Sequence, residues 1–166
     1  MISALFLDQV TIVTFLALLT WAAVSDFYDY LIPNRISVAA GLLFAVHAFT
    51  GVPAVDWIGT LLTAGTVFLV GATMFVFRLI GGGDVKLMSA VSLWAGPEQI
   101  LDFLLITALA GGFVSLAMMT TLRLYRPGPA ETMATLPRFS LRKQYVPYGI
   151  AIAIGGFFVG ARLLTG

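Results

Sequence analysis

The chain of 166 residues has no cysteine and a single histidine, His47. The first absence excludes disulfides, thiolate metal sites and a cysteine nucleophile. The second, with the first, leaves no Cys or second His to complete a zinc site around the imidazole, and no metal or cofactor is expected. Charge is scarce too: 10% of residues are charged and 60% are hydrophobic, against about a quarter charged in ordinary soluble domains. A soluble domain this small has too much surface for its volume to hide so much apolar side chain, whereas a lipid bilayer solvates it. The formal net charge of +1 makes no electrostatic case for a nucleic-acid partner.

What the chain does have is long uncharged runs. A helix needs about 20 apolar residues to cross the hydrocarbon. Runs over 9–25, 36–55, 57–77, 103–122 and 144–161 meet or approach that length. The run 85–95 is short, and crosses only if its start, near Asp84, lies at membrane depth inside the protein. Breakers separate the runs: Pro33-Asn34, Gly51 with Pro53, Gly81-Gly82-Gly83, and Gly96-Pro97. No Lys or Arg precedes the first run, so it lacks the basic start of a secretory signal and is expected to be a retained span. The expected fold is all-α: one polytopic membrane domain over 1–166 with six transmembrane helices.

The basic residues orient it. With the N-terminus outside, the inner loops hold Arg35, Arg78, Lys86, Arg123, Arg126, Arg138, Arg142 and Lys143, leaving Arg162 outside. The excess of positive charge inside predicts N-out and C-out. Asp8, Asp56, Glu98 and Asp102 fall on the outer turns. The loop from about 123 to 143, rich in Pro and basic residues, reads as a solvated basic segment near anionic headgroups or as a lid that docks substrate.

Three acids remain: Asp26, Asp29 and Asp84. Carboxylates near or within the membrane are costly and tend to mark function. Singly, each has a structural explanation: Asp26 ends a helix at the interface, and Asp84 follows three glycines where an N-cap belongs. Together, the topology puts Asp26 and Asp84 on one membrane face, and Gly81-Gly82-Gly83 permits positive φ or close approach of another chain just before Asp84. Two recessed carboxyls held side by side share a proton, the arrangement of an aspartic protease dyad. One carboxylate takes a proton from the attacking water while the other, protonated, polarises the scissile carbonyl.

The segment Asp26-Phe27-Tyr28-Asp29-Tyr30-Leu31-Ile32-Pro33-Asn34 resembles the first motif of prepilin peptidases, an aspartate six residues before Ile/Leu-Pro. Gly81-Gly82-Gly83-Asp84-Val85-Lys86-Leu87 resembles their second motif, Gly-x-Gly-Asp. Pro147-Tyr148-Gly149 is similar to a third segment near the end of the chain. The resemblance implies an aspartic endopeptidase of the inner membrane that removes the basic leader from prepilin or pseudopilin precursors at the cytoplasmic face. It implies Asp26 and Asp84 as the catalytic pair. Pro33, Asn34, Gly81, Gly83, Lys86, Pro147 and Gly149 are then expected to shape the site or bind substrate. Asp29 has no counterpart and is expected to be a solvated bystander. Asn34 also reads as the N-cap of the second helix. Larger members carry Cys-x-x-Cys pairs and a methyltransferase activity. This chain instead resembles the short, peptidase-only branch linked to Flp-type (type IVb) pilins. The partners implied are the precursors, the bilayer and the pilus or secretion assembly. Other readings stay open: a different Gly-x-Gly-Asp protease cutting within the bilayer, a proton- or ion-coupled transporter using the same carboxylates, or a non-enzymatic assembly scaffold.

Overall fold

The structure, a computed structural model, describes residues 2–49, 55–124 and 147–165. They fold into α1 (Ile2–Asp29), α2 (Asn34–Phe49), α3 (Trp57–Val76), α4 (Gly82–Leu124) and α5 (Tyr148–Thr165). No strand occurs among the described residues. Helices suit hydrocarbon because each satisfies its own backbone polar groups. Four of the five, α1, α3, α4 and α5, are long and apolar enough to cross a membrane, and α2 is shorter. Its 16 residues span about 24 Å, less than the hydrocarbon thickness of about 30 Å. The chain is thus an all-α membrane protein.

α4 is two arms joined at a break. Gly96 has φ 56° and ψ −171°, and Pro97 follows it. Proline has no N–H to continue the ladder and disfavours helix in the preceding residue. The second arm runs back beside the first, so Gly111 lies under Tyr148 and Ser115 lines the same cavity as Asp84. The expected outer turn around Glu98 and Asp102 is therefore itself helical. Asp102 reaches Arg162 of α5 at 3.7 Å. Asp56 caps α3 by accepting from the Gly59 N–H at 3.1 Å, and a Cβ at Gly59 would meet that carboxylate.

The first arm of α4 is the centre of the bundle. Leu87, Val91 and Trp94 are buried on it and join Phe15 and Leu19 of α1, Ile36 and Ala40 of α2, and Ile152 of α5 in one core. Trp94 stacks on Phe15 with ring centroids 4.3 Å apart, and its indole N–H donates to the Ala40 carbonyl at 3.1 Å. α5 seats through glycine. A Cβ at Gly155 would meet Thr107 and Phe103, and one at Gly156 would stand 2.5 Å from Leu19. Small residues let membrane helices approach this closely. α3 is peripheral and packs on α4 along a narrow stripe of Thr60, Ala64 and Gly71.

Asp8 departs from its expected place on an outer turn. It lies within α1, 7% exposed, and its Oδ1 is 2.5 Å from Nδ1 of the buried His47 on α2. His47 in turn stacks on Trp94. Burying a charge is costly without a partner, and the imidazole supplies one. The 18 residues separating Asp8 from Asp26 on α1 put this pair about 27 Å from the cavity end of the bundle.

Candidate active site

Asp26 and Asp84 line a single cavity of about 1240 Å³ at one end of the bundle. Its walls come from the α1–α2 turn, the end of α3, the start of α4, Ser115 of the returning arm, and Tyr148. The turn depends on Tyr30, whose φ of 53° reverses the chain after α1, with its N–H donating to the Asp26 carbonyl at 3.0 Å. Ser25 ties the turn down through a 2.8 Å bond from its hydroxyl to the Leu31 carbonyl.

Each carboxyl sits at a helix N-terminus, where unpaired N–H groups favour an anion. Asp26, 6% exposed, accepts from the Gly149 N–H in the first turn of α5 at 2.6 Å, across 123 residues of sequence. There is no room for a side chain at Gly149: a Cβ would lie 2.8 Å from Asp26 Oδ2 and 2.9 Å from Ile32 Cδ1. Asp84 is not the N-cap that its position after three glycines suggests. α4 begins at Gly82, so Asp84 lies in its first turn and reaches back to accept from the Gly81 N–H at 3.1 Å, as the third residue of a capping box does. The two carboxyl groups are within electrostatic reach of each other.

The glycines before Asp84 act by close approach rather than by positive φ, which among the described glycines only Gly96 adopts. A Cβ at Gly83 would meet Ile32, side chain and backbone, from 3.2 Å. A Cβ at Gly81 would stand 2.8 Å from the Asp84 carboxylate. The α1–α2 turn can therefore lie directly on the start of α4, which is how Asp26 and Asp84 reach one cavity.

Of the other residues singled out in the sequence, Pro33, Asn34, Gly81, Gly83 and Lys86 line the cavity. Asn34 is the first residue of α2, and its Oδ1 accepts from Lys86 Nζ at 2.9 Å. Its side chain therefore ties α2 to α4 rather than capping its own helix. Pro147 stands just before α5, outside the lining, and leads Tyr148 and Gly149 in. Asp29 lines a separate hollow of about 450 Å³ with Trp21, Tyr28 and Arg35. The 123–143 loop lies almost wholly outside the described residues.

The cavity also takes in Phe75 and Ser115, which the sequence does not single out, and Tyr30, Arg78 and Tyr148, which stand in or beside the quoted motifs. Arg78 holds φ 59° at the end of α3, where Leu79 N–H bonds the Met74 carbonyl and Arg78 N–H that of Phe75, a Schellman closure with Arg where glycine is usual. Ser115 gave no local signal, because only the reversal at Gly96-Pro97 brings it here. Among the described residues, no group of three His, Cys, Asp or Glu side chains converges as a metal site.

The prepilin leader peptidase/N-methyltransferase of Bacillus subtilis (strain 168) is 32% identical to this chain over 119 residues, covering 70% of the chain and 48% of the relative. The chain thus spans about half the length of that relative. No solved structure matches it. The profile of the type IV leader peptidase family matches residues 13–116, a stretch that contains both aspartates, the turn that positions one and the glycines that position the other. The chain belongs to the type IV leader peptidase family.

Proposed function

We propose that this protein is a membrane aspartic endopeptidase that removes the basic leader of prepilin-like precursors, with Asp26 and Asp84 as its catalytic pair. The observation that carries the reading is that two carboxyls from helices far apart in sequence share one cavity, each held at a helix N-terminus. Backbone donors fix each carboxyl without neutralising it, leaving the remaining oxygens for water and for the scissile carbonyl. One carboxylate accepts a proton from water as the oxygen attacks. The other carboxyl donates to the carbonyl oxygen, and the proton taken from water passes to the departing amine.

In this reading the two arms of α4 count as separate spans. With α1, α2, α3 and α5 they make six, N-out and C-out in the inner membrane. The excess of Lys and Arg then faces the cytoplasm, at the cavity end. The substrates are Flp-type precursors, cut where the basic leader meets an apolar helix. The activity is peptidase alone, without methylation of the new N-terminus, and the products pass to a pilus or secretion assembly.

The test is co-expression with a pilin-like precursor. Wild type should release the leader, and Asp26→Asn and Asp84→Asn should each lower the rate by about 100-fold or more, the contribution of a positioned acid or base. Leader release surviving in both variants would refute the assignment. The mass of the new N-terminus reports whether a methyl group is added.

A further inference from the structure

Beside the cavity lies the second hollow, of about 450 Å³, a size within the range of small-molecule sites. Leu31 and Pro33 line both, so the two lie at the same end of the bundle and share the α1–α2 turn as a wall. α1 has 28 residues and is about 42 Å long, close to the span of about 40–45 Å of a bilayer with its headgroups. Asp29 at the end of α1 therefore stands at headgroup level, and Trp21, two turns earlier, stands about 12 Å deeper. Both line the hollow, which thus bridges headgroups and acyl chains.

An arginine in the first turn of a membrane helix ordinarily extends outward to water. Arg35 of α2 does not: its guanidinium lies over the Trp21 ring of α1, 5.1 Å from the centroid. Among the described residues it makes no ion pair and no hydrogen bond, so its N–H donors await an acceptor. Arg162 shows the contrast, lying 5.2 Å from the Phe158 centroid with Asp102 at 3.7 Å. Around Arg35 the wall is apolar and open to lipid, with Trp21 47%, Val24 48% and Leu31 61% exposed. The same hollow carries the carboxylate of Asp29, the last residue of α1, where the helix carbonyls add to the negative potential. A cation and an anion thus stand together over an apolar wall at the membrane surface.

We infer that this hollow binds a phospholipid whose headgroup bears a primary ammonium, of the phosphatidylethanolamine type. The charges match in sign and number. The lipid phosphate takes the guanidinium of Arg35, whose planar fork suits phosphate oxygens, and the ammonium donates to Asp29. A carboxylate has acceptor sites enough for an ammonium beside another donor. An anionic headgroup would meet Asp29 with like charge, and a choline headgroup has no N–H to give it. An acyl chain then runs along Leu31, Val24 and Trp21, the faces open to lipid. The hollow is apart from Asp26 and Asp84, and the inference stands independently of the peptidase reading.

Native mass spectrometry of the full chain in detergent tests this, with phosphatidylethanolamine, phosphatidylcholine and phosphatidylglycerol of matched acyl chains added one at a time. Wild type should retain one phosphatidylethanolamine with a Kd roughly tenfold below that for either other lipid, the discrimination expected of one charge-assisted hydrogen bond. Arg35→Gln and Asp29→Asn should each remove that preference, and both should fold, since both side chains are exposed. Arg162→Gln should keep it, because that guanidinium is already met by Asp102. Glycerophosphoethanolamine, the same headgroup without chains, should not compete at equal concentration, because the apolar wall holds the lipid by its chains. Equal retention of the three lipids by wild type overturns the inference, whatever the variants do. So does a preference that survives both Arg35→Gln and Asp29→Asn. Retention of phosphatidylglycerol as tight as that of phosphatidylethanolamine overturns it too, since Asp29 then meets no ammonium. Competition by glycerophosphoethanolamine would make a soluble phosphodiester the ligand and overturn the lipid.

Discussion

Gly149→Ala separates a positional role for this glycine from a merely helical one. Alanine is the better helix former, by about 1 kcal/mol, so in a roomy site the substitution stabilises α5. The site is not roomy. The new Cβ would stand 2.8 Å from Asp26 Oδ2, 2.9 Å from Asp26 Cβ and 2.9 Å from Ile32 Cδ1, so Asp26, Ile32 or the start of α5 must shift. Overpacking of this kind costs about 1–3 kcal/mol. The 2.6 Å bond from the Gly149 N–H to Asp26 is worth about 1.5–3 kcal/mol as a hydrogen bond to a charged group. The net effect is a loss, despite the gain in propensity. Moving a reacting carboxyl by about 1 Å costs up to 100-fold in rate, so kcat/KM for precursor cleavage should fall by roughly that factor. The assay is leader release by purified protein in proteoliposomes, paired with thermal unfolding of the same preparation. An alanine variant that cleaves like wild type and melts at a higher temperature would refute the reasoning, because it would mean that Gly149 neither touches nor holds Asp26.

Four further outcomes follow from particular contacts. Asp8→Ala or His47→Ala strands one member of a buried pair and should lower stability by about 3–5 kcal/mol, read as a drop in Tm in detergent; an unchanged Tm would show that the pair is not made. Arg78→Gly should raise stability by about 1 kcal/mol over Arg78→Ala, because it relieves a left-handed residue of its Cβ, as thermal unfolding of the two variants would report. Gly155→Ala drives a methyl into Thr107 and Phe103 and should cost about 1–3 kcal/mol; a Tm at or above wild type would contradict the packing of α5 on α4. Asp29→Asn should keep most cleavage activity, since Asp29 lies in a hollow apart from the cavity, whereas loss equal to that of Asp26→Asn would move the site.

Local chemistry made much of this legible beforehand. Glycine and proline mark breaks wherever they stand, so the interruptions at Pro33, Gly81–Gly83 and Gly96-Pro97 were visible without a fold. Asp26 and Asp84 stood out because charge is rare in an apolar chain. Pro33, Asn34, Gly81, Gly83 and Lys86, which stand beside these aspartates in the sequence, line the same cavity. Asp8 was misplaced for a physical reason: its partner His47 lies 39 residues away on another helix, and no periodicity within α1 announces such a pairing. Asp84 was misjudged by three residues, since Gly82 and Gly83 already belong to α4 and the N-cap position falls on Gly81.

The sequence by itself determined what is additive along the chain: an apolar total that calls for lipid, a distribution of Lys and Arg that points one way across it, and two carboxylates beside chain breaks. The tertiary structure decided what depends on distance through space. It set the N–H of Gly149 against Asp26, laid Ile32 over Gly83, and folded α4 back so that Ser115 reaches the cavity. These depend on how closely backbones can approach. That is fixed jointly by a glycine on one element and the side chain it receives from another, and a single segment carries only half of that information.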